Sequence, residues 1–141
     1  MTMPSTELQI RTGSTLVNDL TGEVERFCRN RGDGLLNVFV PHATAGVAIM
    51  EVGSGSEPDL AEALERLLPT QDLYRHRHGS LGHGRDHVLP AFVAPSMVIP
   101  VLGGVPALGT WQSIVLVDSN GDNPIRTVRL SFLAAQSAVI M

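Results

Sequence analysis

Leu35-Leu-Asn-Val-Phe-Val40, then Pro41-His42-Ala-Thr-Ala45, then Gly46-Val-Ala-Ile-Met-Glu51 reads as two strands joined by a short loop. Pro41 lacks an N–H for a ladder and marks the end of the first strand or an edge. The phase of the pair matters as much as its existence. Side chains alternate across a strand, so if Leu36, Val38 and Val40 point into the core, an unbroken alternation sends His42 inward as well. Likewise Val47 and Ile49 share a face with Glu51. An imidazole or carboxylate on an apolar face is costly unless paired or coordinated, and strand ends near a site meet that condition.

Upstream, Thr6-Glu-Leu-Gln-Ile-Arg-Thr12 alternates as a half-buried strand ended by Gly13-Ser14. Asp19 or Thr21 caps a following helix, with Leu20, Val24, Phe27 and Cys28 at helical spacing and Gly32-Asp-Gly34 as its stop. Cys28 on that stripe reads as a small core hydrophobe. Downstream, Val52-Gly-Ser-Gly-Ser56 leads to a second helix, with Ser56 as cap and Asp59 in the capping-box position. Leu60, Leu64, Leu67 and Leu68 form its buried stripe, and Pro69 closes it.

The stretch His76-Arg-His-Gly-Ser-Leu-Gly-His-Gly-Arg-Asp-His87 gathers four of the chain's five histidines. Imidazole both ligates metals and titrates near neutral pH, so a metal site, an acid/base pair or an anion pocket is sought here. Gly79, Gly82 and Gly84 argue for a loop rather than a helix. His83 and His87 align on one face only if the chain turns helical, which those glycines disfavour. On this reading His78 and His83 decorate a solvated loop, while His87 is anchored by the apolar run Val88–Ala94.

Met97–Leu102 and Val105–Asp118 read as an antiparallel pair about a Gly103-Gly104 turn. Ile114, Leu116 and Asp118 share one face, and Trp111, Val115 and Val117 the other, so both faces are expected to be buried. Trp111 is then a packing residue, in the core or at a subunit contact. Ser119-Asn-Gly-Asp-Asn-Pro124 is a turn cluster before the last strand, Ile125–Ala134, in which Arg126 shares a face with Val128, Leu130 and Phe132. A guanidinium there needs a carboxylate or an oxyanion; the partners are a phosphate, Asp118 or Glu51.

At 141 residues the chain is expected to be one domain, residues 1–141, burying roughly 70% of its unfolded surface. One cysteine allows no internal disulfide, and the first residues carry no leader pattern, which points to a cytoplasmic protein. Val88–Leu108 is broken by four prolines, so no membrane span is expected. The net charge of −4 argues against nucleic acid as the partner. With 4% aromatic and 17% charged residues, buried oligomer contacts are plausible.

Six separated motifs now stand in order: His42-Ala-Thr-Ala-Gly46 running to Glu51, Tyr74-Arg-His76, Asp86-His87, Pro95-Ser96 before an apolar strand, Gly109-Thr-Trp-Gln112, and Arg126. Together they resemble the YjbQ-like family over nearly the whole chain. Three departures stand beside the match: Met50 where the family has Asn, the inserted Gly53-Ser-Gly-Ser56, and Asp86 where it has Ala.

The resemblance implies a compact α+β fold, an antiparallel β-sandwich-like core with two main helices packed against it, assembled as a homotrimer. It also implies a weak secondary thiamine-phosphate synthase activity, a transferase reaction joining a pyrimidine diphosphate to a thiazole phosphate with release of pyrophosphate. By position it implies His42, Glu51, His87 and Arg126 as catalytic residues, and Gln112 with Arg126 as substrate-binding residues. His42, His76 and His87 would hold a divalent metal. The expected partners are a small phosphorylated molecule and the chain itself. The alternative from another class is a non-catalytic trimeric module that binds a metal or phosphometabolite through the same residues.

Overall fold

The computed structural model describes residues 3–71 and 73–136. In chain order these form β1 (Ser5–Arg11), β2 (Val17–Asp19), α1 (Thr21–Cys28), β3 (Gly34–Phe39), β4 (Ala45–Met50), α2 (Ser56–Leu67), α3 (His83–Asp86), a single 3₁₀ turn (Leu89–Ala91), β5 (Ser96–Leu102), β6 (Val105–Pro106), β7 (Ser113–Asp118) and β8 (Ile125–Ala134). The strands make two antiparallel sheets, β1-β8-β3-β5-β6 and β2-β7-β4.

The alternation in β3 and β8 decides how the sheets pack. Leu36 and Val38 of β3, with Val128, Leu130 and Phe132 of β8, turn to one side and meet Ala45, Val47, Ile114 and Leu116 of the smaller sheet. Leu20, Val24 and Cys28 of α1 complete this core, so Cys28 is the buried hydrophobe its spacing implied. The opposite face of β7 carries Val115 and Val117 against Leu64, Leu68 and Leu89. The smaller sheet is thus buried on both faces, between the larger sheet and a layer made by α2 and the 3₁₀ turn. An α+β sandwich follows.

Several expectations are corrected. Val105–Asp118 is not one strand: β6 pairs with β5 in the larger sheet, β7 with β2 and β4 in the smaller, and residues 107–112 carry the chain between sheets. Trp111 sits in that crossing and is 73% exposed, so it is not a core residue. Leu64 of α2 and Leu68 just beyond it are buried, but Leu67 is 53% exposed. The carboxylate that closes the start of α2 is that of Glu57, accepting the Gly53 N–H, rather than Asp59. Asp19 does accept the Thr21 N–H ahead of α1. Ile49 is exposed, as is Glu51 beyond it, so the inward face of β4 is lost before its end.

One close approach places the histidine-rich segment. A Cβ on Gly46 would lie 1.9 Å from the Val93 carbonyl oxygen, and the Val47 N–H donates to Ala94 O at 2.8 Å. Chain 93–95 therefore lies directly against β4, and α3 just before it is fixed to the sandwich. No helix among the described residues is long and apolar enough to cross a membrane.

Candidate metal centre

Three segments converge on one site: the loop after α2, α3 itself, and the turn between β7 and β8. Contrary to the glycine argument, residues 83–86 are helical. Gly82, at φ 85°, stands just ahead of the turn, where the left-handed conformation suits it. Gly84 has another reason to be glycine. A Cβ there would meet Tyr74 Cβ at 2.6 Å and His76 O at 2.7 Å, so loop 74–76 crosses α3 in direct contact with its backbone. Close packing, not flexibility, explains it.

That one helical turn brings His83 and His87 onto the same face, with their Nε2 atoms 3.1 Å apart. The loop crossing above supplies His76, whose ring centroid is 4.2 Å from that of His87 and 5.1 Å from that of His83. One ligating nitrogen from each of His76, His83 and His87 falls within 4.8 Å of the others. A tetrahedral zinc with Zn–N of about 2.1 Å needs nitrogens about 3.4 Å apart, a small adjustment from this arrangement. His78 stacks 4.0 Å from His76 and lines an open cavity of about 250 Å³ with Thr70, Tyr74, His76, Ser80 and His83.

Two features fit a cation. His76 Nδ1 is buried without a hydrogen-bond partner, a condition that a coordinated ion would relieve. His76 and His87 are also both held below the ordinary imidazole pKa, first by desolvation and then by the neighbouring imidazoles. They are therefore neutral near pH 7, the form that ligates.

His83 is oriented from outside the group. Its Nδ1 lies 3.1 Å from Asp122 Oδ2 and 3.1 Å from the side-chain amide nitrogen of Asn120, and these neighbours make opposite demands. The carboxylate wants a proton on Nδ1; the amide wants a lone pair. A charge-assisted bond is roughly twice as strong as a neutral one, so Asp122 wins and leaves the Nε2 lone pair facing His87. Asp122 is itself held by the Ser80 N–H and hydroxyl, which lower its pKa, the N–H most.

The other residues singled out from sequence lie elsewhere. His42 is half-buried, accepts the Thr127 N–H through Nε2 at 2.9 Å, and is not part of the histidine group. Gln112 Oε1 accepts the Gly109 N–H and closes a turn. Arg126, 2% exposed, donates to both oxygens of Asp118 at 2.6 and 2.8 Å and to Thr44 Oγ1 at 2.7 Å. Of the partners weighed for it, Asp118 is the one it has. Asp118 in turn accepts the Asn120 N–H, and Asn120 Oδ1 the Asp122 N–H, so this buried pair anchors the turn that carries Asp122. His83 and Asp122 are the residues that sequence reasoning missed. The i, i+4 spacing of His83 and His87 is the signal in the sequence, masked by the flanking glycines.

Known proteins with this arrangement of chain are close at hand. The family model described as UPF0047 protein YjbQ-like matches residues 6–135. The UPF0047 protein Rv2556c of Mycobacterium tuberculosis is 63% identical over 131 residues, 93% of this chain and 98% of that protein. A UPF0047 protein of Archaeoglobus fulgidus is 35% identical over 86% of this chain and 96% of its own length. The crystal structure of hypothetical protein APE1520 from Aeropyrum pernix K1 superposes with a TM-score of 0.85 at 34% identity, covering 94% of this chain and 100% of that one. With its motifs in order, its fold matched and its length covered, the chain belongs to the YjbQ-like UPF0047 family.

Proposed function

We propose that His76, His83 and His87 hold a divalent transition metal and that the chain is a metal-dependent enzyme acting on a small phosphorylated substrate. The observation that carries this is the convergence of three imidazole nitrogens within 4.8 Å of one another, one of the three residues, His76, having a buried, unpartnered Nδ1. Three protein nitrogens with an open cavity beside them are the donor set of a catalytic rather than a structural site. When bound, a divalent ion supplies electrophilic stabilisation of charge developing on phosphate oxygens.

The chain's own residues do the rest. Asp122 and Ser80 fix the His83 ring, Gly84 lets His76 come close, and exposed His78, at the cavity wall, can carry a proton between site and solvent. Within this frame the specific reaction we propose is the thiamine-phosphate synthase-like transfer implied by the family resemblance. The engagement of Arg126 by Asp118 favours, as a second reading, a module that binds metal without catalysis.

Metal content of the purified chain, with thiamine-phosphate formation by wild type, His83→Ala and His87→Ala, tests both. Bound metal and product in the wild type, lost in both variants, supports the enzyme. Metal without product supports the binding module, and product formation untouched by His87→Ala sinks the catalytic reading.

A further inference from the structure

On the other side of α3 from the histidines lies a second cavity, of about 320 Å³, lined by Ser14, Glu65, Arg85, Ser119, Asn120 and Gly121 among others. Arg85 is two residues from both His83 and His87, about 200° round the helix, so its side chain leaves on the opposite face. That side chain is 11% exposed. Among the described residues no hydrogen bond holds its guanidinium. Its ionic contact is a single 3.5 Å approach to Glu65.

The neighbouring carboxylates each have other hydrogen-bond partners. Glu65 is 49% exposed and already accepts the N–H and hydroxyl of Thr70, at 3.0 and 2.8 Å. Asp118, also in the wall, is spent on Arg126, the Thr12 hydroxyl and the Asn120 N–H. Asp86, next in sequence, takes the Ser119 hydroxyl at 2.5 Å.

We infer that Arg85 is the cation of a phosphate-binding site in this cavity, separate from the histidine group. A planar guanidinium fits a phosphate oxygen pair bidentately, and the hydroxyl of Ser14 stands in the same wall to meet a remaining oxygen, the Ser119 hydroxyl being held by Asp86. The incoming anion displaces Glu65 into solvent. That exchange is favourable in sign, since a long contact to a half-exposed carboxylate is weaker than bidentate hydrogen bonds between charged groups.

The inference deepens the phosphorylated-substrate reading but needs no metal, so its test is made on EDTA-treated full-length protein. Inorganic phosphate and pyrophosphate are titrated calorimetrically into wild type, Arg85→Met, Arg85→Lys and Glu65→Gln. Wild type is expected to bind. Arg85→Met should weaken binding by about tenfold or more, the equivalent of about 1.4 kcal/mol, and Arg85→Lys should recover part of the loss. Glu65→Gln, which removes the competing carboxylate, should bind phosphate severalfold tighter. That gain cannot come from a folding defect, so it decides the matter if Arg85→Met proves unstable.

No binding to wild type or Glu65→Gln, or equal binding by Arg85→Met and wild type, overturns the assignment. Phosphate binding that appears only when metal is restored also overturns it, while leaving the proposed metal-dependent function standing.

Discussion

Asp122→Ala separates the two neighbours that compete for His83 Nδ1. In the native site the imidazole proton is pulled to Nδ1 by the carboxylate at 3.1 Å and pushed off it by the Asn120 amide at the same distance. A hydrogen bond to a charged acceptor is worth about 1.5–3 kcal/mol and a neutral one about 0.5–1.5 kcal/mol. Asp122 is 40% exposed, so solvent takes back part of the advantage. A net preference for the Nδ1–H form of His83 remains.

Removing the carboxylate leaves Asn120 alone with Nδ1, and the preference reverses: the proton moves to Nε2, the atom that faces His87 and that a metal needs bare. The variant should therefore show His83 as the Nε2–H tautomer in ¹⁵N NMR of the metal-free protein. Its metal affinity should fall about 10- to 100-fold, as when a carboxylate behind a ligating histidine is lost. Asn120→Ala, by contrast, should leave both readings near wild type. If Asp122→Ala keeps the Nδ1–H tautomer and binds metal like wild type, the orientation argument is wrong, whatever the metal does elsewhere.

Gly84→Ala sets two rules against each other. Helix propensity predicts a gain of about 1 kcal/mol, whereas contacts of 2.6 and 2.7 Å to Tyr74 Cβ and His76 O predict an overpacking loss of about 1–3 kcal/mol. Urea unfolding should show net destabilisation of up to about 2 kcal/mol, with weaker metal binding as His76 is pushed away; a stabilised variant would refute the packing account. In the metal-free chain, His42, His76 and His87 have folded-state pKa values below the ordinary imidazole value, burial being the first cause in each. The unfolded chain then binds protons that the folded chain refuses, so stability should fall as pH drops below about 6.5. Asp86, whose raised pKa works in the opposite sense, is removed by measuring the urea midpoint in Asp86→Asn; a flat profile there from pH 7.5 to 5.5 would count against the neutral histidine cluster.

How far the sequence speaks depends on the range over which each signal acts. β8 was legible to its ends, and so was its buried face, Arg126 included, because alternation is local and ten residues long. The burial of both faces of β7 was legible for the same reason. The division of Val105–Asp118 between two sheets was not, since alternation says which side a residue faces but not which strand lies beside it. The alternation carried on from Val40 does reach a half-buried His42, which accepts the Thr127 N–H, whereas in β4 the inward face is already lost at exposed Ile49, before the strand ends at Met50, and Glu51 is exposed with it.

The histidine segment reverses the lesson. Its glycines were read as breakers through their backbone freedom, and Gly82 and Gly79 do adopt positive φ. Gly84 is there because another piece of chain touches it, a fact stored in residues 74–76 rather than in its own neighbours. Once that contact is known, the i, i+4 histidines regain their ordinary helical meaning, and the acidic turn 118–122 acquires one it lacked in sequence. Its buried Arg126–Asp118 pair is the foundation that holds Asp122 beside His83. Arg126 thus reaches the candidate site through the turn it anchors.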